Sequence, residues 1–318
     1  MTSADCLIVV RWGGALKINH RIAVRHDDPF WLEIDLLGLD YERGDSNNVL
    51  KLAMSSVLNV TEDLPEWPEV ERLITEYRPT SHVVSNVFTK GELDAAEWLM
   101  LTALGQHGYP EPDIEYPTVT DDLADYCPIC GIGGVQKAPF RLQREPRASH
   151  SQFIQLNWVY DEFFVREPAR QGLEKASITG IDFLAPVLHK SGRPSEQLMQ
   201  MRVASVLPRA LDVSDLETVT CKEENEEWET ELWLRKQRPS PAETHPYCGR
   251  VKYHREHRGP FQFSREAFAD APDVVKSHEW FGSGGSASQL VIVSQRFRQV
   301  VVGAKWRGVR FEPIELVG

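Results

Sequence analysis

The chain has 318 residues, with 42% hydrophobic and 26% charged side chains, and its 47 acidic against 35 basic groups give a formal charge of −12. That length can bury the core of one large or two ordinary domains. The charge disfavours nucleic acid as a general partner and suits a basic one.

Residues 6–12 read as a strand, Gly13-Gly14 as a turn, and the alternating residues 21–25 as a strand that could pair with the first. Residues 31–36 alternate in the same way. Residues 65–77 read as a helix with Val70, Leu73, Ile74 and Tyr77 on one face. Thr89-Lys90-Gly91-Glu92 is a capping box, and it predicts a helix running to about Leu104, with Leu93, Ala96, Met100 and Leu104 on its apolar side. The turn-rich stretch 105–113 then marks a boundary, so residues 1–115 form a mixed N-terminal domain and 116–318 a second one.

The second domain is organised around Cys127-Pro128-Ile129-Cys130-Gly131 and its echo, His245-Pro246-Tyr247-Cys248-Gly249. Two sulfur ligands two residues apart, followed by Gly, form the tight turn of a metal knuckle, whose N–H groups can face the thiolates. Cys127, Cys130, His245 and Cys248 together supply a Cys3His set for one structural zinc. Cys221, His254 and His257 rival His245 as the fourth ligand. Five cysteines in no secreted-type pattern fit a reducing cytoplasm. The opening Met1-Thr2-Ser3-Ala4-Asp5 carries no leader pattern, and no run has membrane-spanning length.

From the first knuckle onward the sequence repeats itself. Pro139-Phe140-Arg141-Leu142 is matched by Pro260-Phe261-Gln262-Phe263. A strand–helix–strand pattern over 163–183 is matched over 291–311, with Val165 and Gly180 as far apart as Val293 and Gly308. Pro168 suits the first turn of one helix and Ser294 the N-cap of the other. The expected fold is therefore α+β. It joins the N-terminal domain to a duplicated C-terminal region, with lobes of about 120–210 and 240–318, pinned by a zinc ribbon-like site.

Between the lobes, Glu223, Glu224, Glu226 and Glu227 crowd around Trp228, with Trp233 close behind. Such a block is ordinarily a solvated face, but interleaved aromatics also suit a partner surface. The glycine-rich 282–286 has neither P-loop nor dinucleotide-binding spacing and reads as a loop. No nucleophile elbow or paired carboxylates single out a catalytic centre.

Two knuckles ending in Cys-Gly, the run Glu279-Trp280-Phe281-Gly282-Ser283-Gly284-Gly285, and the tail with Val291-Ile292-Val293-Ser294-Gln295-Arg296-Phe297 and Gly308-Val309-Arg310-Phe311-Glu312-Pro313 resemble the double-CXXCG motif family. Swarm-inhibition-type immunity proteins of bacterial polymorphic toxin systems are grouped there. The resemblance spans roughly residues 120–318. It implies a cytoplasmic, non-enzymatic protein that neutralises a cognate protein toxin, one with a basic cleft, by direct binding. His245 departs from the family's cysteine at that position, and residues 1–115 lie outside the match. Two other readings stand beside this one. The first is an enzyme, metal-dependent or otherwise, with a site in the N-terminal domain or the interdomain cleft. The second is a zinc-ribbon nucleic-acid or regulatory module.

Overall fold

The computed structural model describes residues 17–42, 55–79, 81–113, 115–146, 150–222 and 245–318. The predicted strand at 6–12 and the acidic run with Trp228 and Trp233 lie outside these. The chain divides into two compact units: Met1–Ala95 with Glu256–Pro260, and Ala96–Arg255 with Phe261–Gly318.

In the first unit, β1 (Lys17–Arg25), α1 (Phe30–Leu36), β2 (Ser55–Thr61), α2 (Trp67–Tyr77), β3 (Ser81–Val87) and α3 (Lys90–Ala95) follow in order. β1 lies between β2 and β3 in an antiparallel sheet. Its alternation puts Ile22 and Val24 on the face that α1 and α2 cover, with Leu58, Val60, Phe30, Ile34, Val70 and Leu73. The helix predicted at 65–77 is α2. Residues 31–36, which alternate like a strand, form α1 instead. Phe30, Trp31 and Ile34 are the buried positions, a spacing that a helix satisfies equally, and the Asp28 carboxylate accepts the Phe30 N–H at 2.9 Å where the helix begins.

The capping box forms as read: Thr89 N–H donates to Glu92 Oε2 at 2.6 Å, and Glu92 N–H donates to Thr89 Oγ1 at 3.2 Å. The helix nevertheless ends at Ala95, and β4 (Trp98–Ala103) takes the rest of the predicted helical stretch. Leu99 and Leu101 alternate into the core, and pairing on both edges outweighs the helical propensity of the segment. β4 is thus an inner strand of the second unit, which moves the boundary from about 115 to Ala95.

The second unit continues with α4 (Tyr116–Thr120), β5 (Asp121–Asp122), β6 (Val135–Gln136), β7 (Arg141–Leu142), β8 (Phe153–Ile154), β9 (Phe163–Val165), α5 (Glu167–Lys175) and β10 (Ile181–Leu184). After β11 (Val187–Leu188) and β12 (Met199–Val203) come β13 (Thr218–Thr220), β14 (Val251–Tyr253), β15 (Gln262–Ser264), β16 (Val274–Phe281) and β17 (Ser288–Ser294). Helix α6 (Gln295–Gly303), β18 (Val309–Pro313) and β19 (Glu315–Val317) complete it. Two main sheets result, ordered β10-β12-β9-β8 and β13-β14-β16-β17-β4-β18.

The strand–helix–strand segments share their local pairing. Val165 faces Met199 and Ile181 faces Val203, as Val293 faces Leu99 and Val309 faces Ala103. Ser294 Oγ accepts the Phe297 N–H, as expected of its cap, and a proline stands in the first turn of α5. Gly180 and Gly308 have φ of 85° and 108°, and a Cβ on either would meet a carbonyl of the other segment's sheet, Val274 O and Phe153 O. The whole sheets are not copies of one another. One has four strands and the other six, and the strand inserted beside each module follows it in the chain in one case (β12) and precedes it in the other (β4). The four-stranded sheet lies within the lobe expected at 120–210, whereas the six-stranded sheet takes β4 and β13 from outside 240–318.

Candidate metal centre

The first knuckle is a closed turn: Gly131 N–H donates to Cys127 O at 2.8 Å and Cys127 N–H to Ile132 O at 2.9 Å. Gly131 has φ of 78°, and a Cβ there would stand 2.5 Å from Gly285 O, so only glycine lets the 282–286 loop pack on the knuckle. The antiparallel pair β13–β14 builds the other half. Just beyond the Thr220–Val251 pairing, Cys221 N–H donates to Arg250 O and Gly249 N–H to Cys221 O, at 2.9 and 3.1 Å. Those bonds hold Cys221 beside Cys248.

The ligand atoms of Cys127, Cys130, Cys221 and Cys248 all lie within 4.8 Å of one another. The Cys127–Cys221 sulfurs are 3.9 Å apart and the Cys130–Cys248 sulfurs 3.7 Å. A tetrahedral ion with metal–sulfur bonds of about 2.3 Å has an edge of about 3.8 Å, the spacing of these two pairs. The four thiols can hold a metal ion, and an all-thiolate set suits zinc or iron–sulfur ligation.

His245 was expected as the fourth ligand and is not in this set. It is exposed, three residues before Cys248, while the β13–β14 ladder brings Cys221 into the set. His254 does not join the set either; its Nε2 faces Glu217 at 3.9 Å. The carbonyl of His257 is bound by the Asn86 amide in the first unit. The signal for Cys221 was Thr218-Val219-Thr220-Cys221, a short β-branched run ending in one of only five cysteines.

Burial dominates the electrostatics. It pushes the Cys130 thiol well up and the Cys221 thiol up to about 11. At Cys248 burial also pushes upward, but hydrogen bonds from Arg250 and from the neighbouring thiols outweigh it and bring the group to about 7. Four thiolates around a dication leave two negative charges, and two cations face them. Arg250 Nε donates to Cys248 Sγ at 3.4 Å. Lys252 is fully buried, and its Nζ donates to Cys130 O, Gly284 O and Ser286 O at 2.9, 2.6 and 2.7 Å. Burial lowers the Lys252 ammonium to about 8 against the pull of the thiols. The glycine-rich loop therefore turns carbonyl oxygens toward a lysine, the opposite of a phosphate cradle.

Two polar clusters carried no sequence signal, because each is assembled from distant segments. In the first unit, His20 Nδ1 and His82 Nε2 are 2.8 Å apart, and His20 Nε2 lies 2.8 Å from Glu62 Oε1, which also pairs with Arg258. In the second, buried Lys276 donates to Glu162 at 2.5 Å and Asp161 at 3.2 Å, and Gln200 extends the chain from Glu162 to Gln136. Burial, with Asp161 and Glu162 nearby, raises the Asp121 carboxyl to about 7. Among the described residues no helix is long and apolar enough to cross a membrane. No family model matches the chain, and no curated protein matches its sequence.

Proposed function

We propose that this chain is a zinc-pinned binding protein of the immunity type, which neutralises a cognate toxin in the cytoplasm by occupying its surface. The observation that carries the reading is the set of four thiols within 4.8 Å of one another, two pairs of them at the edge length of a zinc tetrahedron. Zinc held by four protein ligands has no open position for water or substrate, so it supports a fold and does not perform chemistry. Two of the segments behind the family resemblance, the first knuckle and the glycine-rich loop, pack together here: the Gly131 turn packs on Gly285, and Lys252 ties Cys130 to Gly284 and Ser286. The partner is a basic protein. The sequence segment suited to it is Glu223, Glu224, Glu226 and Glu227, which would speed association, with Trp228 and Trp233 as anchors.

A non-enzymatic binder tolerates the loss of any polar cluster that the partner does not touch. The rival enzyme reading draws its support from the Glu62–His20–His82 chain in the first unit, a hydrogen-bonded array able to move a proton. The test is co-expression with the cognate toxin. The binder reading expects growth rescue, a stable complex with chemically unaltered toxin, and full rescue by His82→Ala. Rescue without a complex, or its loss in His82→Ala with binding intact, would favour the enzyme. Metal analysis of the purified protein tests the zinc, and less than about half an equivalent after chelator-free purification would refute it.

A further inference from the structure

The four thiols are not equivalent. Cys130 and Cys221 are fully buried and Cys127 nearly so, whereas Cys248 is exposed. An oxidant arriving from solvent meets one sulfur of the set, and the other three are screened by Ile129, Ile132, Tyr247 and Trp280. The Cys130 sulfur, in the first knuckle, lies 3.7 Å from that of Cys248. Susceptibility of a cysteine to oxidation follows its thiolate character and its exposure, and a metal-bound cysteine is already a thiolate.

From this asymmetry we infer that Cys248 is an oxidation site, at which a hydroperoxide releases the zinc and closes a disulfide between Cys248 and Cys130. The inference rests on the zinc reading above. In the first step the Cys248 thiolate attacks the peroxide. An S–O bond forms, the O–O bond breaks, and the departing hydroxide or alkoxide takes a proton from solvent. Cys248 is left as a sulfenic acid, a poor zinc ligand. In the second step the Cys130 thiolate attacks the Cys248 sulfur. The S–S bond forms, and the S–O bond breaks with release of hydroxide, which is protonated to water. The two sulfurs together give up two electrons and the peroxide accepts them. Only Cys127 and Cys221 would then remain to hold a zinc ion, half of the set that a structural site needs.

The selectivity is the distinctive part. A CxxC pair ordinarily closes on itself, which would join Cys127 to Cys130. Here the first sulfur oxidised is outside that motif, so the bond crosses from the second knuckle to the first. The cross-link keeps Cys248 beside Cys130 and frees the Cys221 thiol, whose backbone stays paired with Gly249 and Arg250.

The experiment uses the full chain, zinc-loaded, with hydrogen peroxide at increasing ratio under a metallochromic indicator. Free thiols are alkylated afterwards and the disulfide is mapped by mass spectrometry. The expected result is zinc release in step with a Cys130–Cys248 disulfide, with Cys127 and Cys221 still alkylated, and recovery of bound zinc on adding dithiothreitol and zinc. Zinc-loaded protein that forms Cys127–Cys130 first, gives a mixture of pairings, or keeps its zinc when Cys248 is oxidised would overturn the inference and leave the zinc reading intact. Protein that never carries zinc would overturn both.

Discussion

Replacing Cys221 by Ser tests whether the fourth corner of the metal set has been assigned correctly. The backbone bonds of Cys221 to Gly249 and Arg250 survive the change, so only the sulfur is lost. Structural zinc in small peptides contributes about 10–16 kcal/mol, and an even share among four ligands is about 3 kcal/mol, or roughly 100-fold in affinity. Cys221→Ser should therefore weaken zinc about 100-fold in competition with a chromophoric chelator and lower the melting temperature of the zinc-loaded protein. In excess chelator most of that difference should vanish, apart from about 1 kcal/mol for burying a hydroxyl where the thiol stood. His245→Ala should leave zinc affinity within about twofold, because that side chain is outside the set. Cobalt substitution adds a spectroscopic check, since the sulfur-to-metal charge-transfer bands of a four-thiolate site weaken when one thiolate is lost. Loss of affinity in His245→Ala together with an unaffected Cys221→Ser would refute the assignment.

Lys252→Met should lower stability by about 3 kcal/mol in denaturant titration, because three carbonyls, one buried and two partly so, lose their shared donor; an unchanged midpoint would contradict that. Burial lowers the folded His20 and His82 pKa values below 6.5, so the unfolded chain binds more protons in acid. Their contribution is complete above about pH 6.5 and is lost as pH falls below it; His20→Asn should flatten that slope in melts from pH 7.5 to 5. Asp121 behaves in the opposite sense, since its folded pKa of about 7 lies above its unfolded value. Its penalty is absent below the usual carboxylate range and grows as pH rises toward 7, so Asp121→Asn should raise the melting temperature at pH 8 and leave it unchanged at pH 3.5. A rise of equal size at both pH values would show that charge is not the cause.

Much of this protein follows from local pattern alone. The capping box at Thr89 and Glu92, the Ser294 cap, the amphipathic α2 and the tight Cys127–Gly131 turn each depend on residues within a few positions of one another. Short-range rules are sufficient for such features. The two matched strand–helix–strand segments were legible for the same reason, because a helix between two apolar runs has the same period wherever it stands. Three cysteines of the metal set were legible as well, since a knuckle writes its ligands two residues apart.

The remaining features were settled by contacts across long stretches of chain. Trp98–Ala103 carries a pattern that either a helix or a strand accepts, and it became a strand because β17 and β18 offered two edges to pair with. Residues 30–36 went the other way, into a helix, because three buried side chains needed to face one core. Cys221 could not be preferred to His245 by spacing. His245 stands at the motif position, whereas Cys221 reaches the other thiols through the pairing of β13 with β14, and strand register is a property of two segments together. The same holds for Lys252 behind the knuckle, and for the Glu62–His20–His82 and Asp161–Glu162–Lys276 clusters, whose members come from different strands and loops. A buried charge is tolerated only where its partners converge, and that convergence is decided by tertiary structure, never by neighbours in the sequence.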